Sequence, residues 1–462
     1  MPTVSSYLKS NESRFVERLS DYLRFPSVSA QRQHRGDLKR CAAWLAAHCR
    51  AIGLEAKVHP TAGHPIVAAR TPRRPGAKRP HYLGYGHYDV QPPEPFERWD
   101  TPPFKPTVKR GYIYARGATD NKGQHLAHLN AVEAYLRTGT ELPCDLTFLI
   151  EGEEEVGSAS IRRFLQDHRE ELRCDGVVVS DSGMPSLKEP ALTYALRGNT
   201  GLEIILHGPS QDLHSGTFGG AVDNPAMVLC QLLAGLRDAK GRITIPGFYD
   251  RVVPLTRAER RRLARHAITD AQLKKLTGVP RLRGEDGFTP TEQSSARPTL
   301  EINGLTSGYQ GEGGKTIIPS WARAKLTCRL VPNQTPAELR RRVIRHLRRI
   351  CPPTVKMEIT AMSEGSIPYL MSPDAPAALA ALRALHRSFG CQPVVIREGG
   401  SIPIVSLFRS VLGVDSLLVG FGLPDDRAHS PNENFSLTAY RLGGQFSSCL
   451  WPELAALDRA RP

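Results

Sequence analysis

The stretch "HYLGYGHYDV" at residues 81–90 decides the fold, because it leads an apolar strand directly into two polar residues. His87 and Asp89 come at the end of the apolar run, and the proline cluster "QPPEP" (91–95) then stops the strand. A histidine and an aspartate at this position are either ordinary loop residues or parts of a chemical site. The rest of the chain decides between these two interpretations.

Apolar runs recur along the chain, and helix-like segments separate the first three of them. Buried strands that alternate with helices are typical of an α/β sheet covered on both faces. The apolar runs lie at 81–86, 145–150, 175–180 and 415–422, and the helix-like segments at 123–139 and 160–172. The sequence therefore predicts an α/β domain.

A second pattern begins near residue 193. Strand-like and helical segments follow there in the order β-α-β-β-α-β, which describes a ferredoxin-like α+β unit. We predict an inserted domain at 193–364, between the two parts of the first domain at 1–192 and 365–462. The charged and polar residues 250–297 form an embellishment of the inserted domain that has no predicted role.

The composition is that of a soluble globular protein, with 462 residues of which 40% are hydrophobic and 23% charged. No apolar stretch is long enough to cross a bilayer, and the N-terminal residues lack the apolar core of a secretion signal. The nine cysteines are scattered without a C-x-x-C pair, which favours reduced thiols. We expect a cytoplasmic protein with no membrane partner.

The formal net charge of +15 raises the question of nucleic acid. Arginine is densest in the predicted helices "TPAELRRRVIRHLRRI" (335–350) and "TRAERRRLARH" (256–266). Arginines opposite an apolar stripe are typical of a solvated helix face, so we expect no nucleic-acid partner. A polyanion site is the less favoured alternative. The first helix has the stripe Leu339, Val343, Leu347 and Ile350, and the expected capping boxes are Thr335 with Glu338 and Thr256 with Glu259.

Polar residues stand at the carboxyl ends of the predicted strands, which is where an open α/β sheet binds its ligand. Several carboxylates buried together are unfavourable unless a cation neutralises them. Imidazole with carboxylate suits zinc, and the excess of carboxylates predicts two metals that share a bridging group. The candidates are His87, Asp89, Asp120, the glutamates of 151–155, Asp181 and His429.

These residues lie in motifs that resemble the dinuclear zinc metallopeptidase family of carnosinases, glutamate carboxypeptidases and aminoacylases, most of all the carnosinase-type (cytosolic nonspecific) dipeptidases. The resemblance implies a zinc-peptidase-like catalytic domain, a mixed sheet flanked by helices, with an inserted ferredoxin-like lid and dimerisation domain. The motifs cover nearly the whole chain: "GHYDV" (86–90), "RGATDNKG" (116–123), "EGEEEVGS" (151–158), "VVVSDS" (177–182), "DLHSGTFGG" (212–220), "CRLVPN" (328–333), "EGGSIP" (398–403) and "AHSPNE" (428–433).

The resemblance also implies ligands for two Zn²⁺ ions in each subunit, which Mn²⁺ or Co²⁺ could replace. His87 and Asp181 would bind one ion, and Asp120 would bridge the pair. Glu155 and His429 would complete the second site.

Catalytic and substrate-binding roles follow from the same resemblance. Spacing alone does not separate the consecutive glutamates, and the resemblance assigns Glu154 as the general base. Asp89 would orient the imidazole of His87, because residues two apart on an extended segment point to the same side. His214 would stabilise the oxyanion in the active site of the partner subunit. The substrate's C-terminal carboxylate would be held by Arg329, Gly399, Gly400 and Ser401.

We therefore predict a homodimeric hydrolase, paired through the inserted domain, that cleaves dipeptides or short peptides with a free C-terminal carboxylate. One alternative is an N-acyl-amino-acid deacylase that uses the same metals and the same carboxylate grip. The other is a non-catalytic binding protein built on a retired hydrolase fold. The presence of every expected metal position and of the base argues against that second alternative.

Overall fold

The computed structural model describes residues 3–72, 79–265 and 267–459. The chain forms two compact units. The first runs to Tyr194 and returns at Met371–Ile396 and from Leu407 onward, and the second comprises Ala195–Leu370 and Arg397–Ser406. The changes of unit after Tyr194 and Leu370 lie a few residues from the predicted boundaries, whereas Arg397–Ser406, predicted as part of the first domain, groups with the second unit. The lid and dimerisation roles of the insertion stay predictions.

The first unit begins with five helices and the strands of a central sheet. The helices are α1 (Val4–Ser10), α2 (Glu12–Leu23), α3 (Arg35–Ala51), α4 (Gly123–Thr138) and α5 (Ile161–Asp167). The strands are β1 (Glu55–His59), β2 (Ile66–Arg70), β3 (His81–His87), β4 (Thr107–Lys109), β5 (Tyr112–Tyr114), β6 (Asp145–Glu151), β7 (Gly176–Val179) and β8 (Ala191–Leu196).

The second unit and the returning segments supply the remaining elements. The helices are α6 (Ser215–Phe218), α7 (Pro225–Ala234), α8 (Arg257–Arg265), α9 (Asp270–Thr277), α10 (Pro290–Ala296), α11 (Pro336–Ile350), α12 (Pro376–Phe389), α13 (Pro403–Leu407) and α14 (Leu437–Arg459). The strands are β9 (Gly198–His207), β10 (Leu213–His214), β11 (Thr299–Ser307), β12 (Ile317–Ile318), β13 (Trp321–Leu330), β14 (Lys356–Ala361), β15 (Tyr369–Leu370), β16 (Val394–Glu398), β17 (Ser416–Leu418) and β18 (Asn434–Ser436).

The sheet of the first unit is mixed and follows the order β1-β2-β6-β3-β7-β17-β8. Strand β3 pairs in parallel with β6 and β7, and β17 pairs in parallel with β7. Strands β1, β2 and β8 pair antiparallel with their neighbours. Parallel neighbours need crossover connections, which α4 and α5 supply. The carboxyl ends of β3, β6 and β7 therefore meet at one edge of the sheet.

The second unit confirms the predicted ferredoxin-like fold. Its elements β9, α7, β11, β13, α11 and β14 follow the order β-α-β-β-α-β. The four strands form an antiparallel sheet in the order β11-β13-β9-β14. Buried apolar residues of α7 and α11 pack against this sheet and form the core of the unit.

The two arginine-rich helices differ in detail from their prediction. Leu339, Val343 and Leu347 of α11 are buried as expected, but Ile350 is 37% exposed because it ends the helix. Thr335 accepts the Glu338 N–H, while the Glu338 carboxylate pairs with two arginines instead of completing the capping box. The box of α8 is complete, and residue 266 of that prediction lies outside the described residues.

Among the residues that the structure describes, no helix combines the length and the apolar character needed to traverse a bilayer.

Candidate metal centre and active site

Asp120 lies at the centre of the candidate site, with an imidazole on each side of its carboxylate. Oδ1 of Asp120 is 3.1 Å from Nε2 of His87, and Oδ2 is 2.8 Å from Nε2 of His429. Asp181 approaches the His87 side at 3.5 Å, and Glu155 approaches the His429 side at 3.4 Å. The ligand atoms thus form two groups that share Asp120, and within each group they lie within 4.8 Å of one another.

Asp89 organises the two halves of the site. Nδ1 of His87 is 3.0 Å from the Asp89 backbone carbonyl and 3.4 Å from its carboxylate, so Nε2 is left to face the cluster. The same carboxylate accepts the backbone N–H groups of Glu154 and Glu155, at 3.2 and 3.1 Å. Asp89 therefore contacts the imidazole through both its backbone carbonyl and its carboxylate, and it also holds the turn that carries the glutamates.

The structure separates the glutamates that spacing alone left undecided. Glu151 is buried and accepts hydrogen bonds from Tyr85 and Ser158, at 2.7 and 2.9 Å. Glu153 accepts the backbone N–H groups of His64 and Ser160. The hydrogen bonds of Glu151 and Glu153 stabilise the loop, which leaves Glu154 and Glu155 as the candidates for metal binding and proton transfer.

The charges at this site fit a divalent cation. Burial raises the pKa of Glu155 to about 9, and the nearby Asp120 carboxylate adds to the shift. Burial also raises the pKa of Glu154 well above its usual value, with Asp181 contributing in the same direction against His87. Buried carboxylates that resist ionisation in this way ionise when a cation neutralises them. Imidazole nitrogens and carboxylate oxygens are ligands that suit zinc.

Glu433 is a positioning residue that the sequence reasoning missed, although it closes the quoted motif "AHSPNE". Its side chain is fully buried and binds the loop that carries Asp120. One oxygen accepts the N–H groups of Thr119 and Asp120, both at 3.1 Å. The other accepts the Gly117 N–H at 2.9 Å and a guanidinium N–H of Arg116 at 2.8 Å. Glu433 therefore ties the His429 segment to the Asp120 loop.

We expect Glu433→Gln to weaken metal binding by about 10–100-fold, the usual cost of disturbing residues behind metal ligands. The amide nitrogen of glutamine is a donor and would face backbone N–H groups that need an acceptor. Calorimetric titration of the metal-free protein with Zn²⁺ measures the effect. Glu133→Gln is the matched control, because Glu133 is also a buried carboxylate of the first unit, where it pairs with Arg14 and Arg18. Equal metal affinity in the two variants would contradict the assignment.

Asn121, in the motif "RGATDNKG", is a second residue that the sequence reasoning missed. Its amide donates to the Asp181 carboxylate at 2.7 Å and to the Ser180 carbonyl at 2.6 Å. Its oxygen is 3.1 Å from Nδ1 of the buried His125. Asn121 therefore fixes the orientation of one expected ligand, and its place next to Asp120 was the signal that could have found it.

The predicted carboxylate-binding residues lie together within the second unit. Nη1 of Arg329 donates to Oγ of Ser401 at 2.9 Å, and Ser401 donates to the Arg197 carbonyl at 2.5 Å. Gly399 and Gly400 precede Ser401 in the same loop, and their carbonyls accept hydrogen bonds from Arg197. These residues form one hydrogen-bonded cluster, and Arg197 is a further member that the sequence reasoning missed.

His214 is exposed on the second unit, and the local backbone selects its tautomer. Nδ1 of His214 accepts the N–H groups of Gly216 and Thr217, at 3.0 and 3.2 Å. Because Nδ1 acts as an acceptor, the neutral imidazole carries its proton on Nε2. The ring therefore presents an N–H donor, which is the group that the predicted oxyanion role requires.

The α/β sheet gathers two imidazoles and several carboxylates around one shared aspartate at its carboxyl edge. This arrangement defines a metal-dependent hydrolase. The chain belongs to peptidase family M20/M25/M40, whose family model matches residues 83–451.

The chain is similar over nearly its whole length to proteins that carry peptidase names. The Beta-Ala-His dipeptidase of Rattus norvegicus is 31% identical over 470 residues, which are 98% of this chain and 95% of that protein. The Cys-Gly metallodipeptidase of Schizosaccharomyces pombe is 32% identical over 467 residues, 98% of each protein. The M20 family metallo-carboxypeptidase Sso-CP2 of Sulfolobus solfataricus has a TM-score of 0.85 and 32% identity, over 95% of this chain and 99% of that one.

These comparisons confirm the predicted family, the fold class and the predicted function class, a metal-dependent peptidase of the dipeptidase type. They do not favour the deacylase alternative. The roles of the individual site residues stay predictions.

Proposed function

We propose that this chain hydrolyses the peptide bond of dipeptides or very short peptides that carry a free C-terminal carboxylate. The observation that supports this most is the Asp120 carboxylate, whose two oxygens face two different imidazoles. A carboxylate in this arrangement is suited to bridge two cations. The family membership and the dipeptidase names of the relatives support the substrate class.

The proposed cofactors are two Zn²⁺ ions per subunit, with Mn²⁺ or Co²⁺ as substitutes. His87 and Asp181 would hold one ion, Glu155 and His429 the other, and Asp120 both. When bound, such a pair supplies Lewis acidity and makes water nucleophilic at neutral pH.

Glu154 acts as the general base in this proposal. Its backbone N–H is held by Asp89, so the position of the residue is set by the same carboxylate that contacts His87. The Glu154 carboxylate takes a proton from the attacking water and passes it to the leaving nitrogen.

Residues of the second unit would bind the C-terminal carboxylate of the substrate. The planar guanidinium of Arg329 is suited to a carboxylate, and the loop that contains Gly399, Gly400 and Ser401 would supply backbone N–H groups beside it. His214, with its proton on Nε2, would donate to the oxyanion of the partner subunit's reaction.

The proposal includes a cytoplasmic homodimer in which the inserted unit serves as lid and dimerisation domain. Nine free cysteines support a reducing compartment. Strand β11 is an edge strand of the sheet and exposes large apolar residues, including Ile302 and Leu305. An apolar strand edge of this kind is a surface that proteins normally cover.

The test of function compares paired substrates on protein that has been stripped of metal and reloaded with Zn²⁺ or Mn²⁺. Amine release is measured for a set of dipeptides and for the N-acetyl forms of the same C-terminal amino acids. We expect faster, metal-dependent cleavage of the dipeptides. Preference for the N-acetyl compounds would show that the protein is a deacylase. No amine release from either set of compounds, with metal bound, would show that the proposed substrate class is wrong.

A further inference from the structure

The segment 250–297, which had no predicted role, packs against the loop Arg397–Ser401. Both belong to the second unit. The segment contains α8, α9 and α10, and we call it the helical insertion. The loop carries the residues proposed to bind the substrate's carboxylate, and we call it the carboxylate loop. Three separate contacts join them.

The first contact is an ion pair between Glu259 of α8 and Arg397 of the carboxylate loop. The two side chains are only 25% and 9% exposed, so water screens their attraction less than at an open surface. One oxygen of Glu259 binds Arg397, and the other caps α8 by accepting the Thr256 N–H at 3.1 Å. The start of α8 and the start of the loop are thus held by the same carboxylate.

The second contact is steric. Gly399 lies against α10 so closely that a Cβ atom built on it would be 2.3 Å from the Ser294 carbonyl oxygen. The same Cβ atom would be 2.9 Å from a guanidinium nitrogen of Arg197. The loop and the helix therefore touch through their backbones, and a shift of α10 toward the loop would displace Gly399.

The third contact runs through Arg197. Its Nε donates to the Gly399 carbonyl at 3.0 Å, and Nη1 is 3.4 Å from the carbonyls of Gln293 and Arg297. Its backbone N–H also donates to the Gly400 carbonyl at 3.1 Å. One half-buried arginine thus holds both the carboxylate loop and the end of the helical insertion.

The insertion is itself braced by ion pairs. Arg260 of α8 is 3.3 Å from Glu292 of α10, a carboxylate that also accepts the Thr289 N–H and caps α10. Arg297 makes two hydrogen bonds to Glu285, at 2.9 and 2.7 Å. The contacts to the loop therefore come from helices whose positions are fixed relative to each other.

We propose that the helical insertion positions the carboxylate loop, and through it Ser401 and Arg329, for binding the C-terminal carboxylate of the substrate; this rests on the proposed function. A loop held in its binding conformation loses less conformational entropy when the ligand arrives, so its affinity is higher. We call the three contacts between the helical insertion and the carboxylate loop the clamp. Glu259 is its positioning residue, because it would act on the substrate's carboxylate only through Arg397.

The experiment compares Glu259→Gln with Glu338→Gln in the full-length, metal-loaded protein. Glu338 is the matched control, since it also stands at the third position of a helix with a threonine cap and pairs with arginines, but contacts no residue of 397–401. Hydrogen–deuterium exchange of peptides covering 397–406 is measured without substrate. The values of KM and kcat are measured for one dipeptide and for its C-terminal amide.

We expect Glu259→Gln to speed exchange in 397–406 and to raise KM for the free dipeptide about tenfold, as loss of a charged hydrogen bond allows. The value of kcat, the metal content and KM for the amide should stay as in the wild type, and Glu338→Gln should change none of these quantities. Unchanged exchange would overturn the clamp. Faster exchange with an unchanged KM would overturn its role in carboxylate binding. Absence of dipeptide cleavage by the wild type would instead contradict the proposed function, and the exchange would still test the clamp.

Discussion

The Glu154→Gln variant is expected to lose about 10³-fold in turnover, within the range that a general acid–base group contributes, while it retains its metals. Glutamine has the same shape as glutamate but cannot accept the proton of the attacking water. The backbone N–H of residue 154 still donates to Asp89, so the turn and the neighbouring Glu155 should keep their places. Turnover of a dipeptide and metal content by mass spectrometry are the two measurements.

Glu153→Gln is the control for this variant, since the two residues are adjacent and only Glu154 has a proposed role in proton transfer. The Glu153 carboxylate accepts backbone N–H groups of His64 and Ser160, so its replacement should lower stability rather than turnover. A wild-type rate in Glu154→Gln, or an equal loss in both variants, would show that Glu154 is not the base.

The second large effect is expected from Asp120→Asn, which should bind neither metal with useful affinity and should lose nearly all activity. Despite burial, hydrogen bonds from His429 and His87 lower the pKa of Asp120, which favours its ionised form. An amide in its place removes the shared negative charge from both halves of the site. The measurement is the stoichiometry of Zn²⁺ binding by titration of the metal-free protein.

Two further variants test whether Asp120 is shared. Glu155→Gln should weaken only one site and reduce the stoichiometry from two ions to one, because Glu155 lies on the His429 side. Asp167→Asn should change nothing, since Asp167 forms an exposed ion pair with Arg163 on α5. If Asp120→Asn behaved like Glu155→Gln, Asp120 would not be a bridging ligand.

The sequence predicted the elements that local patterns encode. Apolar periodicity was sufficient to predict strand β3 with its polar end, the parallel neighbours β6 and β7, and helix α11 with its buried stripe. Such patterns are local, so they are visible in one sequence. Strands β1 and β2 were not predicted, nor was the grouping of Arg397–Ser406 with the second unit.

Most candidate ligands were predictable because they stand at or shortly after the end of a strand or just before a helix, where chemistry is expected in an α/β sheet, whereas His429 lies eleven residues after β17 and was found through its motif. Their partners were harder to find. Glu433 and Asn121 both stand in quoted motifs, but their contacts with residues of other loops cannot be read from the spacing of residues in the chain. The same holds for Arg197, which lies more than two hundred positions before the glycine it binds in the carboxylate loop.

The sequence by itself determined the family, the class of fold and the residue types gathered at the carboxyl edge of the sheet, because motifs and apolar periods are properties of the chain. The tertiary structure supplied the contacts that distinguish Glu151 and Glu153 from Glu154 and Glu155, which spacing alone left undecided, since they depend on which neighbour each carboxylate meets. Only the tertiary structure placed the helical insertion against the carboxylate loop. The contacts of Arg397 with Glu259 and of Gly399 with Ser294 join residues far apart in sequence, and only folding brings them together.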